Sequence, residues 1–209
     1  TFPEEMRFAD PAYAAEIANR YLDLTLAHGT TTVCSYATIH PASVDAIFEA
    51  AQTRGQRLYA GKTCMDRNAP DGLRDTAQSA YDQSKALLHK WHGVDRLSYV
   101  ITPRFSPTST PEQLAAMGQL WKEHPDCLMQ THLSEQTDEI VWVKELFPQS
   151  RDYLDTYEAQ GLLREGALYG HAVHLTEREK ARLAEAGASL IHCPTSNTFI
   201  GSGLFDMGL

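Results

Sequence analysis

Six short apolar runs, separated by segments of helical periodicity, constrain this chain's fold more than any other feature. They are TTTVCSYATIH (30–40), RLYAGKTCM (57–65), LSYVITPRFS (97–106), CLMQTHLSE (127–135), ALYGHAVHL (167–175) and SLIHCPTSN (189–197). Each is rich in apolar and β-branched residues and bounded by turn or cap residues, as a strand buried on both faces of a parallel sheet should be. Helical stretches alternate with them. PAYAAEIANRYLDLTLAHG stops at Gly29 and PASVDAIFEAAQTRG at Gly55, both suited to end a helix. TPEQLAAMGQLWKEHP opens with Thr and Pro and has a Pro beyond its end. TEREKARLAEAGA pairs Thr176 with Glu179 as a capping box and closes at Gly187.

Repeated strand-helix units predict an α/β fold with a parallel sheet. A doubly wound sheet and a (β/α)₈ barrel both satisfy the alternation. Neither GxGxxG nor GxxxxGK[ST] occurs, so the nucleotide-binding variants lack support. The polar residues favour the barrel. Arg104, His132, Glu135 and His171 all fall at the C-terminal ends of predicted strands, where barrels build their active sites.

Charge narrows the function. Against 27 acidic residues stand 18 basic ones, a formal net charge of −9, with no Lys/Arg run. A phosphate backbone is bound through clustered Lys and Arg, so neither nucleic acid nor an anionic membrane is an expected partner. No apolar stretch approaches the roughly 20 residues needed to span a bilayer, and no signal peptide is recognised. Cys34, Cys64, Cys127 and Cys193 form no CxxC pair and lie in strand-like runs. They are expected to be buried free thiols of a reduced, cytoplasmic protein.

His132 and His171 end two consecutive strands, and adjacent strands lie about 4.8 Å apart, so the two imidazoles could share one cation. Neutral imidazole suits Zn²⁺ and several other first-row metals. The alternative is a histidine hydrogen-bonded at a strand end. Glu135 could belong to the following helix start; beside a metal-bound water it could instead carry a proton to a leaving group. His174 reads as a surface or supporting residue. His28, His89, His92 and His124 sit near helix ends, where dipole and cap contacts explain them, and His40 could border the site. HCPTSN (192–197) lacks the CxxC and HxE of cytidine deaminases and reads as a strand ending in a Pro turn, with Ser196 and Asn197 on a loop rim. Two histidines and a glutamate are too few for a catalytic zinc, which usually has at least three protein ligands.

TFPEEMRF (1–8), GTTT (29–32), ATIH (37–40), GKTCMD (61–66), TPRFS (102–106), THLSE (131–135), GHAVHL (170–175) and HCPTSN (192–197) together resemble the amidohydrolase superfamily. HLSE and HCPxSN point to its deaminase and chlorohydrolase branch; TFPEE, GKTCMD and TPRFS narrow the resemblance to the guanine deaminases. It implies a TIM-type (β/α)₈ barrel of the metal-dependent hydrolase kind beside a small β-sandwich, with one Zn²⁺ per subunit. Two ligands would come from an HxH pair on the first strand, two from His132 and His171, and one from an Asp on the eighth strand. The HxH pair and that Asp have no counterpart in these 209 residues, and Asp206 lies too near the seventh strand to serve. The sequence is therefore expected to span strands two to seven as an internal fragment. The first and eighth strands and the sandwich would lie outside it, and the fragment alone would be inactive.

The same resemblance implies hydrolytic deamination of guanine to xanthine and ammonia, with Glu135 as proton shuttle. Arg104 would contact the purine, Phe105 would stack on it or wall the pocket, and the protein would be a homodimer. Another amidohydrolase acting on a different purine, pyrimidine or triazine is the nearest alternative. A non-catalytic barrel module is the alternative from another class.

Overall fold

The computed structural model describes residues 1–208. Helix α1 (Phe2–Met6) and a 3₁₀ turn (Arg7–Ala9) lead into α2 (Pro11–Ala27), whose first turn is capped by Asp10 accepting from Ala12 N at 2.9 Å. Strand β1 (Thr32–Tyr36), helix α3 (Pro41–Arg54) and strands β2 (Arg57–Gly61) and β3 (Thr63–Cys64) follow. Helix α4 (Ala77–Trp91), strand β4 (Leu97–Pro103), helix α5 (Pro111–Glu123) and strand β5 (Leu128–Leu133) continue the alternation. The chain then runs through α6 (Thr137–Leu146), α7 (Tyr153–Glu158), β6 (Ala167–His171), α8 (Glu177–Ala186), β7 (Ser189–Ile191) and α9 (Pro194–Phe199).

All pairings are parallel, in the order β1-β2-β4-β5-β6-β7, with β3 alongside the end of β4. Strand order follows chain order throughout. A doubly wound sheet must reverse its order at a switch point; this sheet never does, and its winding is that of a barrel. Met129 and Leu133 of β5 are fully buried against the helical layer, in one continuous core with Trp121, Leu114 and Tyr157. The alternate residues, Gln130 and His132, face the concave side. There Gln130 donates to Ser35 O of β1 at 3.0 Å and to Thr102 Oγ1 of β4 at 3.1 Å, tying strands across the curved sheet.

The predicted caps are present: Thr176 and Glu179 box α8, and Thr110 caps α5. Thr76 and Ser79 box α4, a cap not predicted from the sequence. Gly55 and Gly187 end α3 and α8 in left-handed conformations, φ 64° and 65°, that a side chain resists.

Four expectations need correction. The predicted strand at 57–65 is broken at Lys62, whose N–H donates to the side-chain hydroxyl of Tyr99 on β4 at 3.2 Å instead of to a backbone carbonyl of a neighbouring strand. HCPTSN does not end in a Pro turn: the strand stops at Ile191, and Pro194, with its fixed φ and missing N–H, starts α9. Asn197 accordingly does not sit on a loop rim; it is buried, 1% exposed, on α9. All four cysteines are free, but only Cys64 and Cys127 are buried; Cys34 alternates onto the concave face of β1 and is exposed, and Cys193 is half-buried.

Candidate active site

His132 is the fifth residue of β5, opposite Gly170 of β6. Its Nδ1–H donates to Arg104 O at 2.8 Å, and its backbone N–H donates to the same carbonyl at 3.2 Å. That pairing fixes the ring and leaves Nε2 with its lone pair. Burial pushes the imidazole down to about 4, aided by neighbouring His171 and opposed by the Arg104 carbonyl. At neutral pH His132 is uncharged, the form in which imidazole binds a metal.

Regular strand alternation would point Glu135 and His171 away from His132. Backbone conformation reverses both. Ser134 adopts φ 48°, and His171 and Ala172 adopt φ 70° and 48°, left-handed values uncommon outside glycine and concentrated at functional sites. The two turns brace each other, since Ala172 N donates to Leu133 O at 2.9 Å while Val173 N and His174 N both donate to Ser134 O at 3.1 Å. The His171 ring consequently stacks on His132, with centroids 5.2 Å apart and planes 23° apart. Glu135 returns to place Oε1 3.1 Å from His171 Nδ1. Helix α6 begins only at Thr137, with Gln136 as its cap and Glu139 as the boxed acid, so Glu135 is not spent on the helix start.

Arg104 follows the end of β4. Its guanidinium lies 5.2 Å from the ring centroids of both Phe2 and Phe105, and its Nη1 is 3.1 Å from Met65 Sδ. Burial draws its pKa down, while Glu5 and Tyr36 oppose that shift. Arg104 and His132 line a cavity of about 430 Å³ together with Thr1, Glu4, Glu5 and Tyr36. Phe105 does not line it but stands 5.8 Å from the His132 ring. Tyr36 and His132 also border a second cavity of about 240 Å³, with Cys34, Gln130, His171 and Cys193. His40 lines neither; it precedes α3 and has its Nε2 buried without a partner.

Several contributors had no distinctive signal in the sequence. Asn197 Oδ1 accepts from His171 Nδ1 at 2.8 Å. Ser202 Oγ donates to Glu135 Oε1 at 3.4 Å and accepts from Gln136 Nε2 at 2.9 Å, while His174 Nε2–H donates to Ser202 O at 2.8 Å. Tyr157, fully buried, donates to His132 O at 2.8 Å and accepts from Ser106 N at 3.0 Å, joining the ends of β4 and β5. The Asn of HCPTSN was visible in the motif; its contact with His171 was not.

The two site imidazoles suit a cation as far as they go, since no described residue hydrogen-bonds Nε2 of either. Among the described residues, the group of three potential ligands with clustered donor atoms lies elsewhere, at His92, Asp126 and Cys127. It does not fit a metal. Tyr99 N–H donates to His92 Nδ1 at 3.2 Å, so the neutral ring carries its proton on Nε2, which faces Asp126 at 3.2 Å. Metal binding at Nε2 would require removing that proton as well. Burial also pushes the Cys127 thiol up to about 12, with Asp126 adding to the shift.

A sequentially wound parallel sheet with histidines, a carboxylate and an arginine gathered beyond its C-terminal strand ends is the arrangement of a (β/α)-barrel, a fold that builds active sites at that face. The amidohydrolase family model matches residues 2–208, and the chain belongs to that family. It is 51% identical over 207 residues to guanine deaminase of Escherichia coli, covering 99% of this chain and 47% of that protein. The E. coli guanine deaminase structure superimposes with a TM-score of 0.98 at 50% identity, over 100% of this chain and 48% of that one. A C. acetobutylicum guanine deaminase structure with guanine bound matches with a TM-score of 0.95 at 32% identity, covering 98% and 49% of the two chains. Atrazine chlorohydrolase from Arthrobacter aurescens, solved with zinc, matches at 0.85 over 95% and 46%, but at 21% identity it shows the fold alone. The described sheet is thus a curled arc of a TIM-type barrel, and the chain spans about half the length of the relatives it matches.

Proposed function

We propose that this chain forms part of a zinc-dependent guanine deaminase, hydrolysing guanine to xanthine and ammonia. One observation carries the reading: His132, His171 and Glu135 converge from the ends of β5 and β6, while Arg104 and His132 line one cavity. The E. coli relative named for this activity, at 51% identity, supports it.

His132 and His171 would hold the metal through Nε2, each ring fixed by an acceptor on Nδ1. Zinc supplies Lewis acidity, which lowers the pKa of water toward neutrality. Glu135 would take a proton from the attacking water and deliver it to the purine ring nitrogen beside the carbon bearing the amine. That carbon becomes more electrophilic, water oxygen adds to it, and the amine leaves as ammonia after receiving the second proton. Arg104 donates to the purine carbonyl edge. Phe105, 5.2 Å from the Arg104 guanidinium and 5.8 Å from the His132 ring, would support those two groups from outside the cavity they line.

The remaining metal ligands, an HxH pair and an Asp, would come from barrel strands one and eight, with β1 to β7 (β3 aside) standing as strands two to seven. A β-sandwich beside the barrel, a homodimeric assembly and a cytoplasmic location complete the proposal. No described helix is long and apolar enough to cross a membrane. Residues 1–209 by themselves would bind metal weakly and turn over little or no guanine. Chelation of the intact enzyme, with barrel strands one and eight present, tests the reading: the metal-free enzyme should lose xanthine production and regain it with added Zn²⁺. Full activity without metal would refute it.

A further inference from the structure

We propose that Asn197 is the positioning residue that sets the tautomer of His171 and keeps Glu135 from being tied to it. The inference rests on the reading of His171 as a metal ligand. A neutral imidazole has one proton to place on two nitrogens, and only the other nitrogen can bind a cation. His171 Nδ1 has two oxygen neighbours, Asn197 Oδ1 at 2.8 Å and Glu135 Oε1 at 3.1 Å. The Asn197 oxygen makes the hydrogen bond; the Glu135 oxygen stands beside it. Both favour a proton on Nδ1, which leaves the Nε2 lone pair for the metal.

The amide could in principle be turned so that Nδ2 donates to the ring. That would place the imidazole proton on Nε2 and set the bare Nδ1 against a carboxylate oxygen, lone pair facing lone pair. Glu135 therefore selects the amide orientation that makes His171 a ligand. Asn197 is fixed independently of its side chain. Its N–H donates to Cys193 O at 2.9 Å, its carbonyl accepts from Ser202 N at 2.8 Å, and the residue is 1% exposed.

The arrangement also bears on Glu135. Without Asn197, the carboxylate would be the sole acceptor for the His171 N–H. A charge-assisted bond of that kind is shorter and stronger than a neutral one, and would hold the group that must move protons. With Asn197 in place, Oε1 is steadied by Ser202 Oγ at 3.4 Å, and Oε2 has no protein hydrogen-bond partner among the described residues. Segment 197–202 thus closes a ring of contacts, Asn197 to His171 to Glu135 to Ser202 and back to Asn197.

The test compares Asn197→Ala, Asn197→Leu and Asn197→Asp with the unaltered protein, all in the intact enzyme that carries barrel strands one and eight. Histidine ¹⁵N spectra of the metal-free protein report the tautomer, Zn²⁺ titration the affinity, and guanine kinetics kcat and KM. In the unaltered protein His171 carries its proton on Nδ1. Removing the acceptor should populate the Nε2–H form, weaken Zn²⁺ binding by about 10–100-fold, and lower kcat with little change in KM. Asn197→Asp, which keeps an acceptor, should restore the tautomer and the zinc affinity. Asn197→Leu fills a similar volume and serves where the alanine variant does not fold. An unchanged tautomer, affinity and kcat in both the alanine and leucine variants would overturn the proposal. Undiminished zinc affinity in His171→Ala would instead refute the ligand reading, while the spectra would still decide the role of Asn197.

Discussion

Glu135 and His171 meet at 3.1 Å, Oε1 to Nδ1, although each would face away from the site if its strand simply continued. Left-handed Ser134 turns the chain back after β5, and left-handed His171 and Ala172 turn it back after β6. Shared backbone bonds to Ser134 O hold the two turns in register. The geometry of the candidate site is thus stored in backbone conformation as much as in side-chain identity.

In the proposed intact enzyme Arg104 reads the substrate and does not hold the metal. Its guanidinium sits between the Phe2 and Phe105 rings and lines the larger cavity. Losing a hydrogen bond from a charged donor costs about 1.5–3 kcal/mol, so Arg104→Ala should lower kcat/KM for guanine by about 10–150-fold. Zinc content should be unchanged. Steady-state kinetics with metal analysis check both, and unaltered guanine turnover would refute the substrate assignment.

How much of this was legible beforehand depended on what each residue's neighbours had to be. The strand-like runs and the box at Thr176 and Glu179 are local patterns, set by periodicity and cap chemistry; each of the six runs holds a strand, though 57–65 is split in two and 189–197 keeps only Ser189–Ile191. His132, Glu135, His171 and Arg104 could be picked out because strand ends in barrels carry chemistry. Helix α7 could not be anticipated, because its six residues are too few for a periodic signal; yet its Tyr157 joins two site-bearing strands. Asn197 and Ser202 act across long sequence separations, which no local pattern encodes. The misread cysteines have a simple cause: a strand buried on both faces in a closed barrel leaves Cys34 exposed on the concave face of this arc.

Buried charge should dominate stability near the site. Lys62 Nζ and Asp75 Oδ2 pair at 2.5 Å with side chains 0% and 6% exposed. Removing one partner of a buried pair costs about 3–5 kcal/mol, whereas an apolar replacement of both can be neutral. Asp75→Ala should therefore lower denaturant stability by about that amount, and Lys62→Met with Asp75→Leu should recover much of it. Equal loss in the single and double variants would show that packing, not the unpaired charge, is responsible.

His132 should make the metal-free protein acid-sensitive. Its folded pKa, depressed to about 4 by burial, lies below the ordinary histidine value of 6.5. Above 6.5 the contribution is fully present; as pH falls toward 4, the unfolded state takes up the proton and the folded state does not. Stability should decline across that window by up to about 1.4 kcal/mol per pH unit. Urea unfolding of metal-free protein at pH 7 and pH 5 checks this, with His132→Asn showing a shallower slope. Identical slopes would mean that His132 is not held neutral by the fold.

The most direct measurement is Glu135→Gln in the intact enzyme, read by guanine turnover and zinc content on the same preparation. Glutamine keeps the size of the side chain but cannot carry the proton. Turnover should fall by about 10²–10⁴-fold, with zinc retained and the folded structure preserved by circular dichroism. Guanine conversion at the unaltered rate would contradict the assignment of Glu135 as the proton shuttle of a hydrolytic centre.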